Sequence, residues 1–492
     1  MVRIVRIPAT CLKILIKGGF ALSLLAVLGG AGFIASASSN APQADTTVYL
    51  PLVLSRYGGF TGLRLVNATH FNAKIAVQGM GIFWFGEVNS VDNYADVRVG
   101  YNDDELMVDI NIFDRYLWYD LDPTVDTLTE WDAVTLFLSV VPNPGEVPTS
   151  TEYKLVAQLN HWQDRQSYQA FYQGNGIGWS QVSIPITTTK DWRGDGFNDQ
   201  EDDKGWGMRY EIPFSALGFP TPPHDAIWRM GVLLHDRDDA ANTPIEDKFW
   251  PETFQPSAPD TWGGLHFGEA AYTPPAIEPT GETVIKQGVD GAVVPDAHVG
   301  GAFNCGQNID HWSEWGYTNY ERIDPTKINI QNQDAMLADW PCFSKYFVTF
   351  PLEAIPEGSV VLSATLTMYN YGNSGTEWVP FDEIPHSWIQ VLTISNDWQD
   401  TTITWNNAPL AVENITMTRV DPLPEYPGWP GVPVQWNVSK AAVEAYQAGE
   451  PLMLALYSAD NEMHSGKYFF ASESGEGDAS ARPTLTVYWA QP

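Results

Sequence analysis

Apolar and polar positions alternate with a period of two along most of this chain. Residues 94–101 (YADVRVGY) alternate, Asn102-Asp103-Asp104 interrupts, and residues 105–113 (ELMVDINIF) alternate again. Two such runs around a short polar turn predict an antiparallel hairpin, because side chains two apart share one face of a strand. The pattern returns at 131–141, 153–162, 206–213, 228–235 and 262–267, with turn residues between the runs. A brief apolar run at 214–217, just after Pro213, predicts one helical turn. Further runs at 347–355, 359–371, 388–394, 451–458 and 483–489 predict a second set of strands. Only 434–449 reads as a helix, with Ala442, Val443 and Tyr446 at helical spacing and Gly449 as its stop. The expected fold is all-β: two β-sandwich, jelly-roll-like domains.

Breaks in the alternation divide the chain. Residues 1–37 read as a secretion signal, with Arg3, Arg6, Lys13 and Lys17 ahead of an apolar run and Ala35-Ser36-Ala37 as the cleavage box. An uncleaved membrane anchor is the rival, since the apolar stretch reaches Ile34. Residues 38–60 form a linker in which 47–54 is a short apolar patch, and 61–272 form the first sandwich. The Pro-rich segment 273–282 is a second linker, and 283–492 form the second sandwich. No later run is long and apolar enough to span a membrane. The expected location is therefore secreted and extracellular, either free or at the cell surface.

Composition narrows the partners. The formal net charge of −34 repels nucleic acid and anionic lipid, and favours cation binding. With 20 Trp and 21 Tyr, the chain holds many rings that a ligand surface could use. Cys305 and Cys342 are the two cysteines beyond the signal, and in an exported chain they predict a disulfide. A two-thiol metal site is the alternative, but no His or carboxylate stands at a fitting spacing. Asn67, Asn414 and Asn437 lie in Asn-x-Ser/Thr sequons, which matter only in a glycosylating host.

Short matching pieces at 95–109, 131–138, 210–218, 228–239 and 262–268 occur in an order that resembles the family-9-like carbohydrate-binding modules. The likeness covers roughly residues 80–270. It implies a β-sandwich that binds sugars or glycan ends, often with structural calcium. The second half resembles the DNRLRE-type domain, also classed as a family-96 carbohydrate-binding module. There the carriers are 350–356, 363–366, 398–409, 436–449, 469–473 and 482–488. That resemblance implies a secreted glycan-binding sandwich, and makes Trp398, Trp405 and Trp436 parts of its framework. The insert at 304–340, which precedes Cys342 and contains Cys305, has no counterpart in it.

Sugar recognition needs exposed ring faces for the C–H side of a pyranose, with polar groups for its hydroxyls. The candidates are Trp118, Tyr119, Trp179, Trp192 and Trp206 in the first half, and Trp312, Trp315 and Trp378 in the second. The competing reading of each ring is a core or edge plug. Asp195, Asn198, Asp199 and Asp202, with Gly196 for a sharp bend, offer hard oxygens for Ca2+, the expected cofactor. A solvated acidic loop is the alternative. No nucleophile elbow, His-Glu-x-x-His or phosphate-cradling loop is present, and no carboxylate pair stands out for glycosidase work. The expected function is a secreted, non-catalytic protein that binds a polysaccharide or cell-surface glycan. A polysaccharide-degrading glycosidase or lyase, and a structural cell-surface matrix protein, are the alternatives.

Overall fold

Most of the alternating runs become strands within a residue or two, whereas the run at 347–355 is a strand only over Phe343–Phe350 and turns beyond it. In the computed structural model of the chain, the described residues are 24–28, 31–35, 63–161, 166–301, 309–333, 342–377, 379–395, 398–460 and 462–491. The predicted hairpin forms as Tyr94–Tyr101 and Glu105–Phe113, in register from Tyr94 against Phe113 to Tyr101 against Leu106. The predicted helical turn is the 3-10 segment Phe214–Leu217. The helix is Ser439–Ala448, the one α-helix among the described residues, and it ends at Gly449 with φ 72°; residues 434–437, read as its start, belong instead to the strand Val432–Asn437. That backbone strains any residue with a Cβ, so Gly449 is the physical stop.

In the first half one sheet runs Gly81–Gly86, Tyr94–Tyr101, Glu105–Phe113, Gly205–Pro213, Thr187–Arg193, each antiparallel to the next. The facing sheet runs Trp179–Val182, Gln169–Gly174, Glu152–Gln158, Ala133–Ser139, Ile227–His235. Gly263–Phe267 extends it, with Leu65–His70 parallel beyond. Val97, Val99, Val108, Leu136, Leu138 and Met230 are fully enclosed between the sheets. In the second half, Asp296–Val299, Phe343–Phe350, Leu452–Ser458, Ser387–Ile394 and Ala411–Val420 form one sheet. Gly281–Lys286, Thr484–Ala490, Val360–Asn373 and Val432–Asn437 form the other. Lys467–Phe470 joins the far end of Val360–Asn373, and Lys327–Asn332 lies beside it.

The polar positions of the Tyr94–Tyr101 strand do not face water. Every residue of that strand is buried, because the second half covers its outer face. Arg98 donates to the carbonyls of Ala459 at 3.0 Å and Asp460 at 3.3 Å. Asn406 bonds both ways with the backbone of Val88, at 2.8 and 3.0 Å. Gln390 donates to the carbonyl of Met80 at 2.5 Å. At the centre of this seam Lys345, from the second half, has no exposure at all. Its ammonium lies 3.7 Å from the ring centre of Trp405, 4.2 Å from Trp84, 4.7 Å from Tyr94 and 4.9 Å from Tyr457. It donates to the Tyr94 hydroxyl, which donates onward to Asp96 at 2.7 Å. Tyr457 and Asn332 complete the carboxylate's shell at 2.9 and 3.1 Å. Residues 63–490 accordingly make one compact unit.

The other unit comprises 1–62 and 491–492. Within it Leu24–Leu28 pairs antiparallel with Ala31–Ala35, inside the segment read as a signal. The remainder of that segment, and the apolar patch at 47–54, lie outside the described residues, as do Cys305 and Trp378. Cys342 is buried at the head of the Phe343–Phe350 strand. No helix among the described residues is long and apolar enough to cross a membrane.

Candidate glycan surfaces and metal centre

Four of the eight candidate rings are closed off from solvent. Trp206 pairs across the ladder with Trp192 but faces inward, and its indole N–H donates to Asp114 at 3.1 Å. Trp118 is covered by Trp131, with ring centres 6.2 Å apart. In the insert, Trp312 and Trp315 fold inward; Trp315 donates to the carbonyl of Gly300 and lies 4.7 Å from Trp405. A ring covered on both faces has none to offer a sugar, so these four are packing residues. Trp405 and Trp436 are buried, and Trp398 is partly exposed. Trp179 is half-buried, edge-on to Phe137 at 5.9 Å.

Tyr119 and Trp192 are brought together. Phe197 sits between them, 4.3 Å from Trp192 and 5.4 Å from Tyr119, with Tyr168 6.0 Å beyond Tyr119. All four rings are partly exposed. A second patch lies on the outer face of the second half. Tyr371 stacks on Phe470 at 4.4 Å and 30°, Tyr468 lies 6.1 Å from Tyr371, and Trp429 lies 4.8 Å from Phe470. The Trp429 indole is oriented by a 2.7 Å hydrogen bond to Asp478. Sequence reasoning passed over this patch, although Tyr369 and Tyr371, and Tyr468 and Phe470, stand two apart, the spacing that puts rings on one face of a strand.

The acidic loop 195–203 does not gather its carboxylates. Asp202 pairs with Arg115 at 2.7 Å, and Asp199 accepts from the backbone of Glu201 at 3.0 Å. Asn198 accepts from the backbone of Tyr119 at 2.8 Å, and Asp195 is exposed. Only Asp199 caps its own turn; Asp202 and Asn198 are engaged by residues far along the chain and Asp195 faces solvent, so the four do not converge on one ion.

A different set does converge. Asp114, Asp132 and Asp236 each present an oxygen within 4.8 Å of the other two, and all are buried. Asp132 accepts from the backbone of Trp118 at 2.6 Å and of Arg237 at 2.9 Å. Asp114 accepts from Tyr116 and Trp206, both at 3.1 Å. The Oδ1 of Asp236 is buried without a partner. Burial first, then repulsion from neighbouring carboxylates (Asp132 and Asp236 on Asp114, Asp236 on Asp132, Asp238 on Asp236), holds all three carboxyls well above the ordinary range, with Arg237 opposing at Asp236. Nearby Asp238 is pushed up to about 7 and Asp203 to about 6, in both cases chiefly by burial. No ion pair among the described residues neutralises the three. Clustered hard oxygens, one of them orphaned, fit a Ca2+-type cation and offer nothing to a soft metal.

The centre lies under the first aromatic patch. Asp203 accepts from Leu117 at 3.2 Å, Asn198 donates to the carbonyl of Leu117 at 2.8 Å, and Asp203 donates to that of Arg115 at 2.8 Å. With the Asn198–Tyr119 bond, these lace the segment carrying Tyr119 to the one carrying Phe197. A cation held by Asp114, Asp132 and Asp236 would therefore brace the backbone that positions those rings.

The halves also enclose a cleft of about 170 Å³ lined by Asn67, Asn414, Asn437 and Lys440. These include all three sequon asparagines. Asn67 and Asn414 spend their amides on each other, at 2.7 to 2.9 Å, and so fasten the seam.

No family model and no curated protein matches the chain. Among solved structures it is similar to a family-9 carbohydrate-binding module from Caldicellulosiruptor kristjanssonii in complex with glucose. That likeness has 11% identity and a TM-score of 0.29, and covers 43% of this chain and 100% of the module. The same organism's module with cellotriose gives 11% identity, a TM-score of 0.30, and coverage of 44% and 99%.

Proposed function

We propose that this is a secreted, non-catalytic polysaccharide-binding protein with one glycan surface in each half. The observation that carries this reading is the presence, on each sandwich, of a partly exposed cluster of aromatic rings: Tyr119, Trp192 and Phe197 on one, Tyr371, Phe470 and Trp429 on the other. Ring faces of this kind take the C–H side of a pyranose, and bordering side chains such as Asp478 take hydroxyls. A net charge of −34 opposes polyanions, so uncharged glycans are the favoured class. Ca2+ bound by Asp114, Asp132 and Asp236 braces the first surface, consistent with the calcium-rich exterior to which residues 1–37 would deliver the chain. A Cys305–Cys342 disulfide fastens the insert in the same oxidising compartment. The buried acid cluster is no glycosidase pair, since such a pair must flank a substrate in an open cleft.

Affinity electrophoresis through a panel of neutral polysaccharides tests this. At least one should retard the protein, and Trp192→Ala and Trp429→Ala should each weaken retardation about tenfold, the effect of losing one well-placed ring. No retardation by any of them sinks the binding claim and leaves a matrix role. Release of reducing ends or unsaturated products from the same panel overturns the non-catalytic claim.

A further inference from the structure

We infer that His70, Asp103 and His224 form a surface site for a divalent transition metal of the zinc class, separate from the carboxylate centre. The three donor atoms lie within 4.8 Å of one another. The His70 Nε2 already stands 3.0 Å from Asp103 Oδ1. Two ligands 2.0 Å from a tetrahedral ion are about 3.3 Å apart, so this pair needs almost no adjustment to share one. The His70 and His224 rings meet edge to face with centres 4.9 Å apart. The two imidazoles are borderline-soft donors, and with one hard carboxylate they make a set that suits zinc or its neighbours better than calcium.

Each ligand is held by a different segment. His70 ends the Leu65–His70 strand, in register with Tyr101, and the following Phe71 N–H donates to the Tyr101 carbonyl at 2.8 Å. Asp103 sits in the tip of the hairpin. There Asn102 accepts from Asp104 at 2.8 Å and Glu105 at 2.9 Å, and donates to the carbonyl of Ala73 at 3.2 Å. His224 follows Pro222 and Pro223, whose rings limit the backbone, and its N–H reaches back to the Pro222 carbonyl at 3.0 Å. The Tyr101 hydroxyl meets His224 Nδ1 at 3.1 Å. That contact fixes the ring and leaves Nε2 for a metal, the usual outer-shell arrangement of a histidine ligand. Asp225 and Asp103 add negative charge around Tyr101, whose hydroxyl is pushed up to about 12 mainly by burial. A bound ion would tie a strand end, a hairpin tip and a Pro-rich loop together and keep a fourth position open to solvent.

The test is calorimetric titration of the EDTA-stripped full chain with Zn2+, in saturating Ca2+ so that the carboxylate centre is filled. One zinc per chain is expected. His70→Ala and His224→Ala should each weaken it at least tenfold, and Tyr101→Phe, which removes only the outer partner, by about tenfold. The visible absorption of a Co2+-loaded sample gives a second readout, and its histidine-dependent intensity should disappear in His224→Gln, a variant that keeps the side chain's bulk. Unaltered Zn2+ affinity in both histidine variants, or no saturable Zn2+ binding with Ca2+ present, overturns the inference.

Discussion

Two buried charged centres in this molecule are built on opposite plans. At the seam, Asp96 and Lys345 bring one charge of each sign, and Tyr94, Tyr457 and Asn332 hydrogen-bond the carboxylate while four rings surround the ammonium. In the first sandwich, Asp114, Asp132 and Asp236 bring three charges of one sign with no described ion pair and an orphan oxygen. Desolvation penalises both centres. The first meets that penalty with the protein's own groups, and so its work is structural: it locks the halves together. The second leaves the penalty unmet, and that deficit is what makes it a cation site. A centre whose charges are of opposite sign fastens; one whose charges share a sign recruits.

The comparison breaks most readily at Lys345. Removing one partner of a buried pair leaves the other charged and unmatched, which typically costs 3–5 kcal/mol. Lys345→Ala should therefore lower unfolding free energy by about 4 kcal/mol in urea titrations. Adding Asp96→Asn to it should restore part of the loss. If Lys345→Ala unfolds at the wild-type midpoint, the seam is not held by this cage. Burial pushes the Lys345 ammonium well below its usual range, with Asp96 opposing, so charge on both partners has to be tested together.

The acid centre should respond to ligand rather than to a partner's removal. At 100 times its dissociation constant, Ca2+ should add about 2.7 kcal/mol of stability, and Asp236→Asn should abolish most of that gain. The pH dependence has a definite sign. Carboxyls whose folded pKa is raised favour the folded state while protonated, and that contribution is lost as pH rises from the ordinary aspartate range through the folded value. With Asp203 at about 6 and Asp238 at about 7, cation-free protein should lose stability between about pH 4 and pH 7. Saturating Ca2+ should flatten that slope. Thermal melts across the window, with and without EDTA, check both; an EDTA-treated melt that is flat across it refutes the centre.

Because the first aromatic patch rests on segments laced around that centre, the two glycan surfaces should part company. EDTA should weaken retention through Trp192 and leave retention through Trp429 within twofold, measured on the Trp429→Ala and Trp192→Ala variants respectively. Equal loss at both would mean that the cation supports the whole unit and not one patch.

What the sequence disclosed follows from the range over which each feature is encoded. The Tyr94–Tyr101 hairpin and the Gly449 stop are written in neighbouring residues, and both were readable. Burial of the polar face of Tyr94–Tyr101 was not, because alternation records that a strand has two faces and not what covers the second. Trp206, Trp312 and Trp315 were misjudged for that reason: each looked like a loop or edge ring, and each is packed inside. The acid centre draws Asp114, Asp132 and Asp236 from three distant strand ends, so no local spacing announces it. The dense acidic loop at 195–203 drew the metal assignment instead, since density is visible in one dimension and convergence is not. Asp236 lies in the matching piece at 228–239, where nothing local distinguishes it from Asp238 and Asp239.

The smallest expected effect sharpens the contrast between density and convergence. Asp202 belongs to the loop that looked like a calcium site, but its carboxylate is half exposed and paired with Arg115. Exposed pairs of this kind contribute roughly 0–1 kcal/mol, because water already solvates both partners and salt screens them. Asp202→Asn should therefore shift the unfolding midpoint by less than about 1 kcal/mol and leave the Ca2+-dependent gain intact. Asp236→Asn, one charge changed in the same way, should erase that gain. If the two variants lose calcium response equally, the ion is held by the loop, and the orphan oxygen of Asp236 is a flaw in packing and not a vacancy for a ligand.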